Sequence, residues 1–421
     1  LNLGRQVLLV QGARQVGKTS FILHILQELT DYPQIKLNFY YPSSFRLSGV
    51  DYYGRDFFGT SPTGEVFLKN IETELGSIKN LIKPAFIFID EVDQYPPALE
   101  SIQTLAEFSE KLKFVFTGSN LENIQLKNAA TGRKKYFDLY PITFKEFLDA
   151  GNHAKLSNYF ENISFEQNTH STFCHDKLTE LFRLYLRLGG MPKLVDAYLD
   201  IDSSKQPIPE IMKDLAVTIE ENVKTVLGET SKLYEYEDIL RKLAHLSMNT
   251  LKYTHLQVQH TGRREAKKLV AKTVGARVAH KIRLYDSGND LSKYVLFDCG
   301  LIHYLLNGAD LLKTTMSEMS RGILCESFVG NELIAGMTTR DDLFYWKSGN
   351  RAEVEFLLKS PYTAGIDVKA TRGENKSLNS LALLEPNATL LVKVAEGLPT
   401  LDKTYTASLP NHHGRRSIPF I

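Results

Sequence analysis

Over the first third of the chain, short uninterrupted apolar runs alternate with stretches of helical spacing. The runs Val7 to Val10, Lys36 to Tyr40, Phe86 to Ile89 and Phe114 to Thr117 read as strands. Strands apolar on both faces, with helices between them, make a parallel sheet covered on both sides. From Phe144 to about Val226 the pattern turns helical, with Leu178, Leu181, Phe182, Tyr185 and Leu188 at three- and four-residue intervals ahead of a Gly189-Gly190 stop. Short helices are predicted between Tyr236 and Tyr285, a segment of the size of a winged helix. Beyond it the pattern predicts a helix from about Arg321 to Met337. Strands Leu343 to Lys347, Ala352 to Leu358, Gly365 to Lys369 and Thr389 to Val394 follow, with turns at Ser348-Gly349 and Ser360-Pro361. No repeat or low-complexity segment interrupts this order.

Composition narrows the class. A chain of 421 residues with 43% hydrophobic and 24% charged residues is a multi-domain globular protein with ample core. Its formal charge of +1 makes no chain-wide case for a nucleic-acid or membrane partner, so such a case must be local. Cys174, Cys299 and Cys325 are far apart, without CxxC or histidine spacing, and read as free thiols in a reducing compartment. No apolar run reaches membrane-spanning length and no signal peptide is visible, so a cytoplasmic location is expected. The chain starts at Leu1 and enters a strand almost at once, from which a preceding natural segment is expected.

The sharpest motif is Gly12, Ala13, Arg14, Gln15, Val16, Gly17, Lys18 and Thr19, followed by Ser20, between a predicted strand and a predicted helix. Glycines let backbone N–H groups curl around phosphate oxygens, and the helix N-terminus adds its dipole. Lys18 is then expected on the β and γ phosphates of ATP and Thr19 on Mg²⁺. The apolar strand ending in Asp90-Glu91 supplies the partner, with Asp90 toward Mg²⁺ and Glu91 polarising water. A second carboxylate directly after the first favours hydrolysis over transfer to a bound acceptor. Ser119 or Asn120 is expected to sense the γ-phosphate, and Arg133 is a candidate for stabilising transition-state charge.

Two further constellations lie in the second half. Glu326 on a helix, Glu355 on a strand, and Asp367 with Lys369 on the next strand form the arrangement of a PD-(D/E)xK nuclease core. Alternation puts Asp367 and Lys369 on one face and sets Glu355 opposite Val354 and Phe356. Two carboxylates on Mg²⁺ with a lysine beside them make a nuclease site on paper. Glu355 stands where that pattern usually has Asp, which displaces the carboxylate by one methylene and weakens the case for cleavage more than the case for the fold. The other constellation is basic: Arg263, Arg264, Lys267, Lys268, Lys272, Arg277, Lys281 and Arg283 face one acid, Glu265. It is either a solvated helix face or a DNA-binding surface. Tyr345 and Trp346 read as core.

The chain resembles the bacterial and archaeal AAA-type ATPases that couple a P-loop domain to a C-terminal domain of nuclease-like pattern. The resemblance runs through Gly12 to Thr19, Ile89 to Val92, Phe116 to Ser119, Gly132-Arg133, Leu139 to Phe147, Gly189 to Pro192, Tyr294 to Leu301, Arg321 to Glu326 and Asn331 to Leu333. It implies an α/β fold with a P-loop parallel sheet, and it makes Arg133 a finger or trans-acting contact. The expected domains are 1–148 (P-loop ATPase), 149–206 (helical lid), 207–310 (winged-helix-like basic region) and 311–421 (restriction-endonuclease-like α/β domain). Three functions fit. One is an ATPase whose nucleotide state controls a DNA-associated C-terminal half, with a homo-oligomer as one outcome of the finger question. The others are a nucleotide-controlled interaction protein and an ATP-controlled nuclease.

Overall fold

The structure is a computed structural model that describes residues 6–39, 52–54, 57, 63–108, 110–124, 132–163, 171–199, 206–227, 233–256, 262–286, 288, 291–308, 317–338, 340–349, 352–369, 374–409 and 415–419. The chain divides into two compact units, 1–140 with 275–277, and 141–274 with 278–421. The helical connector, the basic region apart from 275–277, and the C-terminal α/β segment, expected as three domains, fall in the second unit together with 141–148.

The first unit is built on strands β1 (Val7–Gln11), β2 (Gln34–Asn38), β3 (Tyr52–Tyr53), β4 (Ala85–Asp90), β5 (Leu112–Gly118) and β6 (Lys134–Asp138), in the order β3-β2-β4-β5-β1-β6. Every pairing is parallel. The four predicted strands are present, shifted by one or two residues; Tyr40, expected to end the second, lies outside the described residues. Side chains alternate between two cores, as a doubly covered sheet requires. Ile87, Ile89, Phe114 and Phe116 pack with Phe67 and Ile71 of α2 (Gly64–Leu75) on one side. Phe86, Phe88 and Val115 pack with Ile22 and Leu26 of α1 (Lys18–Gln27) on the other. Burying each of these side chains contributes roughly 1.5–3 kcal/mol, which fixes the strand ends where the chemistry sits.

The second unit opens on α3 (Phe144–Ala150), started by a full capping box in which Thr143 and Glu146 satisfy each other's backbone N–H groups. Helices α4 (Ala154–Glu161), α5 (Thr172–Leu188), α6 (Pro192–Leu199) and α7 (Ile208–Leu227) follow, then α8 (Leu233–His245), α9 (Arg263–Gly275), α10 (Cys299–Asn307), α11 (Glu318–Gly336) and α12 (Lys376–Leu384). A second sheet has the order β12-β11-β10-β9-β7-β8, made of β7 (Ala279–Leu284), β8 (Ser292–Leu296), β9 (Leu343–Ser348), β10 (Ala352–Leu358), β11 (Ala364–Val368) and β12 (Leu390–Val394). Tyr345 and Trp346 are buried, as expected of core. One clasp orders the start of this unit. Gly190 accepts from Ile142 N at 2.7 Å, Tyr185 donates to Ile142 O, and Asp298 accepts from Gly190 N at 2.7 Å. No helix among the described residues is long and apolar enough to cross a membrane.

Candidate functional site

The phosphate loop follows β1 and leads straight into α1. Gln15 and Gly17 take left-handed backbone conformations, with φ of 67° and 88°, which turn the loop back on itself. Gly12 has no room for a side chain: a Cβ there would lie 2.3 Å from Leu139 O. Lys18 is buried and its ammonium donates to Gly12 O (3.1 Å), Ala13 O (2.9 Å) and Ser119 Oγ (2.8 Å). Burial lowers its pKa, against the opposing pull of Glu91, Asp93 and Asp90.

Parallel strands deliver the acids to the same place, because all C-terminal ends of a parallel sheet lie along one edge. Asp90 ends β4 and its carboxylate is saturated with donors. Thr19 Oγ1 reaches both oxygens at 3.0 and 2.9 Å, Asn38 Nδ2 donates at 2.9 Å, and the Thr117 hydroxyl donates to Oδ1. Thr117 Oγ1 also accepts from Glu91 N at 3.3 Å, so one buried hydroxyl ties the two acids together. Glu91 is left-handed, with φ of 51°, a conformation uncommon for a residue other than glycine. Burial, and then the neighbouring Asp93, push the Glu91 pKa up to about 7. Burial likewise raises Asp93, whose Oδ2 accepts from Asn120 N at 3.2 Å. Ser119 and Asn120 are both buried at the end of β5.

Hard oxygens of Thr19 and Asp90 meeting at this edge suit Mg²⁺, which keeps most of its shell as water and phosphate and needs only one or two protein oxygens. Lys18, Thr19, Asp90, Glu91, Ser119 and Asn120 are therefore brought together. Arg133 is not. It precedes β6, where Lys134 is level with Val7, so about 13 Å of strand separates it from the loop end of β1. Three members were missed from the sequence: Asn38, Asp93 and Thr117. The signal for two of them was present, since the apolar runs of β1, β2, β4 and β5 turn polar at their C-terminal ends, at Gln11, Asn38, Asp90 and Thr117.

In the second unit, Glu355, Asp367 and Lys369 do come together. Lys369 Nζ lies 2.7 Å from Asp367 Oδ1 and 3.8 Å from Glu355 Oε1, and Glu355 Oε2 accepts from Val368 N at 3.2 Å. Glu326 lies within the same electrostatic group: burial raises it to about 7, while Lys293 and Lys369 pull it down. Burial and a hydrogen bond shared with Asp367 raise Glu355 to about 8. The expected alternation around Glu355 is corrected by a bulge. The register of β10 against β9 shifts between Val354 and Leu357, so Val354 and Leu357, three residues apart, share one core. Phe356 instead lies against Gly330 of α11, the helix that carries Glu326. Among the described residues no three His, Cys, Asp or Glu side chains are grouped so as to hold a metal.

Of the basic residues, Arg263, Arg264, Lys267 and Lys268 are exposed on α9, whose opposite face buries Ala266, Leu269 and Val270. Lys267 Nζ lies 5.8 Å from the centre of the Tyr253 ring. Arg277 departs from the exposed set: it is buried, left-handed at φ 62°, and paired with Glu122 and Asp138.

Residues 4–148 match a family model described as "AAA domain", so the N-terminal unit is an ATPase-like P-loop domain of AAA type. No curated protein matches the chain. Among solved structures, the chain is similar to C. elegans PCH-2 at 15% identity and a TM-score of 0.29, covering 53% of this chain and 62% of that one. It spans less than two thirds of that protein's length. It is also similar to a RuvB mutant of Thermogota maritima, at 13% identity and a TM-score of 0.29, covering 66% of this chain and 82% of that one. A Drosophila ORC structure bound to DNA matches at 12% identity and 0.27, covering 80% and 91%. Scores this low bear on neither fold nor function.

Proposed function

We propose that this protein binds and hydrolyses ATP in its first unit and that nucleotide state controls a DNA-associated second unit. The observation that carries the first half is the convergence of Lys18, Asp90, Glu91 and Ser119 at one edge of a parallel sheet. Lys18 leaves its carbonyl and Ser119 partners to grip the β and γ phosphates. Thr19 and Asp90 would hold Mg²⁺, whose charge would offset that of the phosphates. Glu91 accepts the proton of the attacking water, with Thr117 fixing its backbone and Ser119 and Asn120 reading the terminal phosphate. A finger role for Arg133 requires a neighbouring copy, because in its own chain it starts β6 at the far end from the loop.

The DNA half of the reading is supported by element order. Helix α8, a short turn at Tyr253–Leu256, helix α9 and the β7–β8 hairpin follow one another, and Thr250 bridges to Lys293 of the hairpin. A helix with exposed Arg263, Arg264, Lys267 and Lys268 ahead of a hairpin is the layout by which winged helices meet DNA phosphates. A second reading, in which the C-terminal sheet is a nuclease-like docking surface without cleavage, is favoured by Lys369 Nζ on Asp367. There the lysine ammonium offsets the charge of the carboxylate.

The test is steady-state ATP hydrolysis by the purified chain with and without duplex and single-stranded DNA, beside Lys18→Ala. A Lys18-dependent rate raised by DNA supports the proposal. A rate indifferent to DNA favours the interaction protein, and a rate insensitive to Lys18→Ala removes the ATPase reading.

A further inference from the structure

Two large aromatic side chains stand open beside the phosphate loop. Phe21, in the first turn of α1 with its N–H bonded to Gly17 O, is 38% exposed, and Phe137 of the edge strand β6 is 44% exposed. Their rings are parallel, 1° between planes, with centroids 5.9 Å apart. Aromatic rings carry most of their stabilising worth when covered. A matched pair held open on two different elements is therefore a surface shaped for a flat partner.

The strand order says what that partner is. Phe137 is level with Val10, two residues before Gly12, and Phe21 lies three residues after Lys18. The terminal phosphate must meet Glu91 and Ser119, which end β4 and β5 on one side of β1; β6 lies on the other side. A triphosphate lying along the loop with its γ end toward β5 therefore directs its sugar and base toward β6. We infer that Phe21 and Phe137 form the stacking platform for the base of the bound nucleotide, and that the site favours purines. This rests on the ATP-binding reading above and adds the recognition of the base. Stacking on a π face accepts any base, and the two-ring bases cover more of it.

The experiment is equilibrium binding of ATP, CTP and inorganic tripolyphosphate, each with Mg²⁺, to the full chain and to Phe21→Ala, Phe137→Ala and Phe137→Tyr. The alanine variants are expected to weaken ATP by roughly 5- to 50-fold, to weaken CTP less, and to leave tripolyphosphate unchanged. The ATP-to-CTP preference therefore falls toward one, while Phe137→Tyr, which keeps the ring, retains it. Equal losses for all three ligands would mean general damage to the loop and overturn the platform, as would unchanged ATP binding. If the unaltered chain binds neither ATP nor tripolyphosphate, the phosphate-loop reading fails first and the platform with it.

Discussion

Lys18 Nζ donates to Ser119 Oγ at 2.8 Å, so the lysine proposed to grip phosphate is tethered to the candidate γ-phosphate sensor just after β5. The tether must be broken or shared when phosphate arrives. Ser119→Ala is expected to leave KM unchanged or lower, because a ground-state bond is lost, and to reduce kcat by about tenfold, because a hydroxyl near the terminal phosphate is lost too. Steady-state kinetics over a range of ATP concentrations separates the two effects, and a raised KM with normal kcat would contradict the sensor role.

Glu91→Gln keeps shape and removes the proposed base. Hydrolysis is expected to fall by at least roughly 100-fold while ATP binding, measured by equilibrium titration, persists. Thr117→Val removes the hydroxyl that bonds both Asp90 and the Glu91 backbone. It leaves Glu91 N without its partner, at a cost of about 1–3 kcal/mol. Its kcat is expected to fall alongside a lowered melting temperature, and normal activity would show that the tie is dispensable.

The pH dependence of the second unit has a defined sign. Glu355 has a folded pKa of about 8 against an ordinary 4.5, so the folded state binds its proton more tightly than the unfolded state. The stability this contributes is complete below about 4.5 and is lost as pH rises through about 8. A proton on Glu355 supplies the donor that the buried Asp367 Oδ2 otherwise lacks. Glu355→Gln mimics the protonated form, and thermal unfolding between pH 5 and 8.5 should show its melting temperature varying less than that of the unaltered chain. Parallel curves would contradict the shared proton.

DNA affinity, if carried by α9, has a salt signature. Replacing Arg263, Arg264, Lys267 and Lys268 by Gln should reduce the slope of log K against log salt by up to about 3.6, at about 0.9 per phosphate contact. Fluorescence anisotropy from 50 to 200 mM salt measures it. An unchanged slope would assign binding, where present, to another surface.

Gly190→Ala places a Cβ 2.0 Å from Ile142 O, against backbone that is itself bonded to Gly190. The clasp has to open, and a destabilisation of at least about 2 kcal/mol is expected, read as a lower midpoint in urea unfolding. A neutral effect would mean that the segment after Tyr140 is not held by this contact.

The sequence made the first sheet legible because its strands are apolar on both faces, a pattern that only burial between two layers explains. The loop and the Asp90-Glu91 pair were equally plain, since their chemistry demands contiguous residues. Thr117 and Asn38 were not singled out, because a hydroxyl or amide at a strand end acquires its role only when neighbouring strands pair in register, as Asn38 does with Asp90. The bulge at Glu355 was hidden for the opposite reason. Strict alternation fits Glu353 to Phe356 well, and nothing local marks the extra residue. The family resemblance offers Arg133 as a finger or trans-acting contact, and its position just before β6 puts it at the end of that strand away from the loop.

Strand β7 pairs with β8 on one side and with β9 on the other, so the hairpin after the basic helix and the strands bearing Glu355 and Asp367 are one continuous ladder. Two parts cut from the same plate cannot rock independently. Any load on the hairpin is carried through backbone hydrogen bonds to the carboxylate strands, with no hinge in between to absorb it.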